Sequence, residues 1–347
     1  MTFKDAEQVL TKFPNTRYMG SKRKLIPTIA QIVEDLQPKT ALDAFAGSGC
    51  VAYLFKEMGI GVTSNDFLKF AYQIGNASIA NSKITLSDDD IDLLIQNNPH
   101  SHSFVQDTFR GLYFSDDDNR FLDNLWWNIQ ELTDVHKQSL AYAAASRACI
   151  KRRPRGMFAY TGFRYDDGRK DLLLSLKEHF LKAVKEWNST VFDNGNECFA
   201  ENKDVFDLDD KAYDLVYIDP PYVSPHSDND YTRRYHFVEG YMTYWQGVNI
   251  QEHTKTKKIE SNKSRFSSKV TIYNAFDDLF EKFPNSTLLV SYSSNSIPDK
   301  TEMLSLLRKH KKSVELVEVD HKYSFGTHAH KIGDNKNSVS EYLFIAK

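Results

Sequence analysis

The stretch Asp219-Pro220-Pro221-Tyr222 follows directly on the apolar run at residues 213–218. A run of this length and composition predicts a buried β-strand, and the two prolines end it because proline supplies no amide hydrogen to a strand ladder. We therefore expect the Asp219 carboxylate and the Tyr222 ring to stand at the carboxyl end of a strand. Open α/β sheets bind their ligands outside the carboxyl ends of strands, so this stretch is a candidate site.

An acid beside an aromatic ring suits chemistry on the exocyclic amine of a nucleobase. The lone pair of such an amine is delocalised into the ring, which makes the nitrogen a poor nucleophile. Acceptors on both N–H groups favour a pyramidal nitrogen, and Asp219 can supply one acceptor and the Pro220 carbonyl the other. Tyr222 can stack on the base, a contact worth roughly 1–3 kcal/mol, so Tyr222→Phe is expected to retain most activity. An ordinary strand-ending turn explains the four residues equally well.

Composition limits the classes of protein to consider. The sequence has 347 residues, 41% of them hydrophobic, and a formal net charge of −3. Such a chain is globular and long enough for one large domain with an insertion. Its charge gives no general attraction to nucleic acid, so DNA contacts would need local basic patches. Widely separated cysteines predict no disulfides, and without a signal-peptide core or a long apolar run we expect a cytoplasmic protein without a membrane span.

The start of the sequence predicts a basic helix N-terminus and then half of a nucleotide-binding βαβ unit. Residues 17–25, Arg-Tyr-Met-Gly-Ser-Lys-Arg-Lys-Leu, precede a helical apolar pattern, so a helix is expected from near Ser21 to before Pro38. Residues 40–66 read as a strand, a glycine-rich turn, a helix and a second strand that ends at Asp66. Small residues let the backbone approach a ligand while a helix N-terminus faces it.

The same turn, Gly47-x-Gly49-x-x-Ala52 with Asp66 further on, also fits a dinucleotide-binding fingerprint. On this unit alone, a nicotinamide or flavin enzyme is as good an interpretation as any other. That alternative gives no role to the stretch at 219–222 or to the basic loop described next.

Residues 67–200 interrupt the alternation of strands and helices, with helices predicted at 116–127, 133–150 and 169–187. The loop 151–165 alternates arginines with aromatic residues. Arginine forks bind phosphates or guanine edges and rings stack on bases, so this loop is expected to contact DNA, the alternative being a solvated basic loop. The arginines predicted to bind DNA are Arg152, Arg153, Arg155, Arg164, Arg233 and Arg234.

A second polar segment, residues 223–270, follows Tyr222, and we interpret it as a DNA-facing loop. Strands at 314–319 and 342–346 are predicted to close the chain as a hairpin. His328 and His330 have no third ligand at a motif spacing, so no metal site is expected.

Together, four stretches resemble the N6-adenine DNA methyltransferases of the Dam, or D12, class. Arg17-Tyr18-Met19-Gly20-Ser21-Lys22 looks like that family's N-terminal cofactor motif, and Asp43-Ala-Phe45-Ala-Gly47-Ser-Gly49 like its glycine loop. Asn65-Asp66 looks like its ribose acid, and Asp219-Pro-Pro-Tyr222 like its catalytic motif. The order, with an insertion ahead of the catalytic motif, is similar to the group called alpha.

The resemblance implies that the chain binds S-adenosylmethionine and that Asp219, Pro220 and Tyr222 are catalytic. It implies that Asp66 accepts the ribose hydroxyls, that Lys22 pairs with the methionine carboxylate and that Asp204 accepts from the cofactor's adenine amine. Asn202 and Asp207 are near alternatives to Asp204. The cofactor-binding residues implied are Tyr18, Lys22, Asp43, Phe45, Gly47, Asp66, Asp204, Val205 and Asp219.

The expected fold is a Rossmann-like α/β methyltransferase sheet with an inserted, mainly helical target-recognition domain. The catalytic domain would comprise residues 1–80 and 197–347, and the insertion residues 81–196. The expected activity is methyl transfer to the N6 amine of a flipped adenine in double-stranded DNA, for restriction–modification or DNA marking, with a cognate restriction endonuclease as one partner. The alternatives are an N4-cytosine DNA methyltransferase, an RNA N6-adenine methyltransferase and a catalytically silent DNA-binding protein on the same fold.

Overall fold

The computed structural model describes residues 11–162, 170–209, 211–223, 230–261, 264–322 and 338–347. Its strands are β1 (Thr40–Asp43), β2 (Gly61–Asn65), β3 (Phe199–Glu201), β4 (Leu215–Ile218), β5 (Thr287–Ser293), β6 (Val314–Lys322) and β7 (Ser338–Ala346). They form one sheet in the order β3-β2-β1-β4-β5-β7-β6. The pairs from β3 to β5 are parallel, and β7 is antiparallel to both β5 and β6. The mostly parallel sheet confirms the α/β expectation, and the β6–β7 pairing matches the predicted hairpin.

The helices are α1 (Ile26–Leu36), α2 (Cys50–Glu57), α3 (Lys69–Gly75), α4 (Asp88–Ile95), α5 (Phe104–Thr108), α6 (Asp116–Glu131), α7 (Val135–Arg152), α8 (Leu176–Asn188), α9 (Tyr231–Tyr241), α10 (Ile272–Lys282) and α11 (Lys300–His310). A 3-10 turn at Lys22–Leu25 leads into α1, and a π-helical turn at Asn76–Ala80 continues α3. Within the described ranges, none of these helices is long and apolar enough to cross a membrane.

Strand β4 is buried on both faces. Leu215 and Tyr217 belong to the apolar core on one side of the sheet, and Val216 and Ile218 belong to the core on the other side. Successive side chains of a strand point to opposite faces, so four consecutive apolar residues pack into the cores on both faces of the sheet. This confirms the strand predicted ahead of Asp219 and leaves that residue at its carboxyl end.

The order of strands reverses between β1 and β4, which are neighbours in the sheet. Open α/β sheets bind ligands in the crevice at such a point of reversal. After Asp43 ends β1, the chain turns through Gly47 and Gly49, with φ of 50° and 76°, before α2 begins. Residues that carry a side chain rarely adopt such positive φ values, which explains why glycine occupies both positions. The glycine turn and Asp219 thereby meet at one edge of the sheet.

The described part of residues 81–196 contains the helices α4 to α8. Leu125 and Leu140 of this segment belong to the same apolar core as Tyr217 of β4, so the insertion packs continuously onto one face of the sheet. Helix α8 begins later than predicted because Ser175 forms a capping box with Glu178.

The interpretation of residues 223–270 as a polar loop is wrong for residues 231–241, which form α9. Tyr235 and Phe237 of this helix are fully buried. The Phe237 ring packs edge-on against Phe109 with 5.0 Å between centroids, and the Tyr241 hydroxyl donates to the Leu122 carbonyl at 2.9 Å. Charged residues beside the aromatic ones hid this buried face in the sequence.

Candidate active site

A cleft at the carboxyl ends of β1 and β4 holds most of the predicted cofactor-binding residues. It contains about 550 Å³ of empty space, part of it open to solvent. The predicted residues that line it are Tyr18, Lys22, Asp43, Phe45, Gly47, Asp66 and Asp219. The acid after β4 and the glycine turn after β1 therefore open onto the same space.

Asp219 is held through one of its two carboxylate oxygens. Lys22 Nζ lies 2.8 Å from Asp219 Oδ1, and the Tyr222 hydroxyl donates to the same atom at 2.8 Å. Among the described residues, Oδ2 has no hydrogen-bond partner. Burial raises the pKa of Asp219 above its ordinary value, although the charge of Lys22 opposes the rise. One oxygen is thus fixed, and the other can accept a hydrogen bond from a ligand.

Tyr222 has a position that the sequence did not reveal. Its ring lies under Lys22 Nζ at 4.7 Å and packs edge-on against Tyr292 at 5.0 Å. Its hydroxyl also lies 3.4 Å from Glu341 Oε2. The cleft lining in the described chain includes Pro221 but neither Tyr222 nor the buried Pro220. The phenol therefore supports Asp219 in this conformation.

Lys22 is almost fully buried, and its ammonium group also donates to the Gly20 carbonyl at 3.0 Å. Burial alone would lower the pKa of Lys22, but the charges of Asp219 and Glu341 outweigh it and the pKa is raised. Lys22 therefore stays charged, and it connects the N-terminal motif with the catalytic motif.

Asp66 braces the glycine turn. Its carboxylate accepts from the Gly47 amide at 2.8 Å and from the Leu68 amide at 2.9 Å. Burial raises the pKa of Asp66 to about 6, while the two amide bonds act in the opposite direction. A Cβ added at Gly47 would lie 2.8 Å from the Tyr18 ring, so only glycine fits beneath that ring.

Asp43 carries a buried oxygen atom without a partner. Its Oδ2 accepts from the Ala52 amide of α2 at 3.1 Å, whereas Oδ1 has no hydrogen bond. Burial raises the pKa of Asp43 well above its usual range, and the charges of Asp219 and Asp66 add to this effect. Buried oxygens are rarely left unpaired, so Oδ1 is suited to receive a donor from a ligand.

Two of the predicted cofactor residues are absent from the described cleft lining. Asp204 is exposed and caps a short 3-10 turn by accepting from the Phe206 amide at 3.1 Å. Val205 is buried in the core under the sheet. The alternative Asn202 donates to the Asp66 carbonyl at 2.8 Å, so it is tied to the second strand end rather than to the cleft.

Helix α9 supplies residues that sequence reasoning left without a role. The Tyr235 ring stacks on Tyr18 at 5.1 Å with an interplanar angle of 4°, and its hydroxyl accepts from the Met19 amide at 2.7 Å. Tyr231, one turn earlier, lines the cleft and lies against Gly20. Their spacing of four residues places them on one helical face, a signal visible only once the segment is known to be helical.

The predicted DNA-binding arginines differ in their surroundings. Arg153 is fully buried, and its guanidinium donates to the carbonyls of Tyr113, at 2.9 Å, and Tyr160. This position contradicts the prediction that Arg153 contacts DNA. Arg152 pairs with Asp118 at 3.1 Å and is mostly buried, so it too is engaged within the protein.

Arg233 and Arg234 lie beside a second cavity, of about 710 Å³ including open solvent. Its other lining residues are Met157, Ala159, Tyr160, Asp230 and Lys258. The 3-10 turn Pro154–Gly156 contains Arg155, whose side chain lies outside the described part of the structure, as do Arg164, His328 and His330. The basic face thus brings the loop after α7 together with α9.

Comparisons with known proteins agree with this geometry. A model of the D12 class N6 adenine-specific DNA methyltransferases matches residues 18–323. The Type II methyltransferase M2.HphI of Haemophilus parahaemolyticus is 29% identical, over 97% of this chain and 98% of that protein. The Type II methyltransferase M.CviAII of Paramecium bursaria Chlorella virus 1 is 28% identical, over 94% and 97%. The Type II methyltransferase M.FokI of Planomicrobium okeanokoites is 27% identical, over 85% of this chain and 47% of that protein. Because the family model spans most of the sequence, the chain belongs to the D12 class N6 adenine-specific DNA methyltransferases.

Proposed function

We propose that the chain transfers a methyl group from S-adenosylmethionine to the N6 amine of an adenine that is flipped out of double-stranded DNA. The observation that carries this proposal is the shared cleft, in which Asp219 and the glycine turn face the same space. A nucleophile held by the first and a methyl donor held by the second can meet there. Holding two reactants in line can supply roughly 7–11 kcal/mol of barrier reduction.

The residues of the cleft fit the cofactor. S-adenosylmethionine, when bound, supplies a methyl group on a positively charged sulfur. The orphaned Asp43 Oδ1 is an acceptor for one of the cofactor's donors. Asp66 has lone pairs left for ribose hydroxyls, and Tyr18 and Phe45 offer apolar surface. Lys22 already forms an ion pair with Asp219. If Lys22 also attracts the methionine carboxylate, its charge is shared between the two carboxylates.

Asp219 acts on the target base rather than on the cofactor. Its Oδ2 accepts one N–H of the adenine amine. The Pro220 carbonyl, which lies behind the described lining of the cleft, accepts the other once the base is seated, and this turns the nitrogen lone pair out of the ring plane. As the amine attacks, positive charge develops on it, and the adjacent carboxylate stabilises that charge. A strong base is not required.

The base reaches the cleft only after it leaves the duplex, at a cost of a few kcal/mol. Contacts between the protein and the DNA backbone offset this cost. The best candidates are Arg233, Lys258 and the half-exposed Tyr160, which meet at the second cavity. This surface is continuous with the cleft through α9, because the same helix carries Arg233 and Tyr231.

Sequencing of modified bases tests the proposal directly. DNA from cells that express the chain, compared with DNA from cells that express Asp219→Asn, should carry N6-methyladenine at one short sequence. N4-methylcytosine, or methylation of RNA alone, would replace the proposal with the corresponding alternative. If no modified base forms although the DNA is bound, the chain is a silent DNA-binding protein. Since M2.HphI and M.CviAII are named Type II methyltransferases, we place this activity in a restriction–modification system.

A further inference from the structure

Glu341 is a second carboxylate at the catalytic cluster, although no sequence motif includes it. It lies on β7, is fully buried, and is paired with Ser293 of β5. Its Oε2 is 3.4 Å from the Tyr222 hydroxyl, which donates to Asp219 Oδ1 at 2.8 Å. The phenol therefore stands between two acids.

Among the described residues, the Tyr222 hydroxyl and the Lys22 ammonium group act on both acids. A hydroxyl group can donate to only one acceptor at a time. The charge of Lys22 is likewise shared, since both Asp219 and Glu341 act on it. Like charges in a buried site oppose each other's ionisation, and the charge of Glu341 contributes to the raised pKa of Asp219.

We propose that Glu341 is a positioning residue for methyl transfer. Its carboxylate holds the Tyr222 hydroxyl and takes part of the Lys22 charge, so that Asp219 remains a strong acceptor for the adenine amine. The inference rests on the proposed function. It assigns Glu341 no contact with the substrate, because the residue acts through Tyr222 and Lys22.

The sign of the effect follows from the charges. Without the Glu341 charge, Lys22 acts on Asp219 alone, so the Asp219 carboxylate ionises at lower pH and accepts a hydrogen bond less strongly. The other groups that act on Asp219 stay in place in this variant. In the described residues these are Tyr18, Lys22, Asp43, Tyr217, Tyr222 and Tyr231.

The test is the pH profile of single-turnover methyl transfer by Glu341→Gln. The substrate is amplified genomic DNA, which carries no methylation, and the donor is tritiated S-adenosylmethionine. We expect the acidic limb to move to lower pH and the plateau rate to fall. Dissociation constants for DNA and cofactor should not change. Glu315→Gln, which removes an exposed carboxylate on β6, is the matched control and should leave the profile unchanged.

Each outcome has a distinct meaning. An unmoved acidic limb in a folded Glu341→Gln variant overturns the inference, as does a lower rate explained by weaker cofactor binding. If Glu341→Gln does not fold, Glu341→Asp replaces it, because this variant keeps the charge but draws it back from Tyr222. It should shift the acidic limb in the same direction by a smaller amount. No shift would again overturn the inference. If the wild-type chain methylates no adenine, that result overturns the proposed function itself, and the inference on Glu341 falls with it.

Discussion

Lys22 Nζ and Asp219 Oδ1 form a buried ion pair of 2.8 Å, which joins the N-terminal cofactor motif to the catalytic motif. Removal of one partner of a buried pair leaves an uncompensated charge and is strongly destabilising. The two motifs are thus physically dependent on each other. Substitutions at Asp219 must therefore keep its volume and hydrogen bonding if they are to report on catalysis rather than on folding.

Asp219→Asn should lower single-turnover methyl transfer roughly 10²–10³-fold, because a neutral amide stabilises the developing positive charge poorly. Binding of S-adenosylmethionine, measured by calorimetry, should remain largely intact, since Glu341 still balances the Lys22 charge. Asp278→Asn, at an exposed carboxylate on α10, is the control and should be silent. Loss of cofactor binding in Asp219→Asn would show that the acid serves the cofactor and not the base.

Tyr222→Phe should lower the rate more than stacking alone predicts. The sequence led us to expect most activity to survive, but the hydroxyl donates to Asp219. The hydroxyl fixes the orientation of the Asp219 carboxylate, and a misplaced catalytic group can cost roughly 10- to 100-fold in rate. The check is single-turnover kinetics at saturating DNA, with Tyr273→Phe on α10, whose hydroxyl donates to Glu302 rather than to the catalytic cluster, as control. A rate close to that of the wild type would restore the stacking-only role.

Local patterns predicted the strand ends correctly. Asp43, Asp66 and Asp219 each stand at the end of a short predicted strand, and parallel strands bring their carboxyl ends to one edge. Periodicity of apolar residues and the glycine turn sufficed for this part because each signal lies within about 20 residues. The α/β fold and the position of three acids at one edge of the sheet were therefore readable from sequence.

Long-range packing was not readable. Glu341 reaches the cluster only because β7 also pairs with β5, and no local pattern encodes that pairing. Arg153 resembled a DNA contact by composition, yet its guanidinium satisfies buried carbonyls. Tyr235 lay in a segment whose charges suggested a loop, while its ring packs on Tyr18.

Cofactor binding should weaken as the pH falls through about 6, where Asp66 becomes protonated in the folded protein. A protonated carboxyl accepts ribose hydroxyls less well, so affinity is high above this pH and low beneath it. The effect of pH on folding has the opposite sign to its effect on cofactor binding. Because the pKa of Asp66 is raised, the folded protein holds this proton more tightly than the unfolded chain does. The contribution of Asp66 to the free energy of unfolding therefore falls as the pH rises toward 6. Calorimetric titration of S-adenosylmethionine across this range is the measurement. Asp66→Asn should flatten the pH dependence of cofactor affinity, apart from the part that is due to Asp43. An unchanged curve would show that Asp66 is not the group that titrates.

Arg233 and Arg153 make a matched pair for locating the DNA surface. The Arg233 side chain is 45% exposed beside the second cavity, whereas Arg153 is buried. If Arg233 neutralises one phosphate, Arg233→Ala should reduce the slope of log affinity against log salt by about 0.9 and leave thermal stability nearly unchanged. Arg153→Ala should instead leave buried carbonyls unpaired, which lowers the free energy of unfolding by about 1–3 kcal/mol, with the salt slope preserved in the folded fraction. Fluorescence anisotropy at several salt concentrations and thermal unfolding separate the two effects. A salt slope that drops for Arg153→Ala but not for Arg233→Ala would move the DNA-binding surface from α9 to the loop after α7.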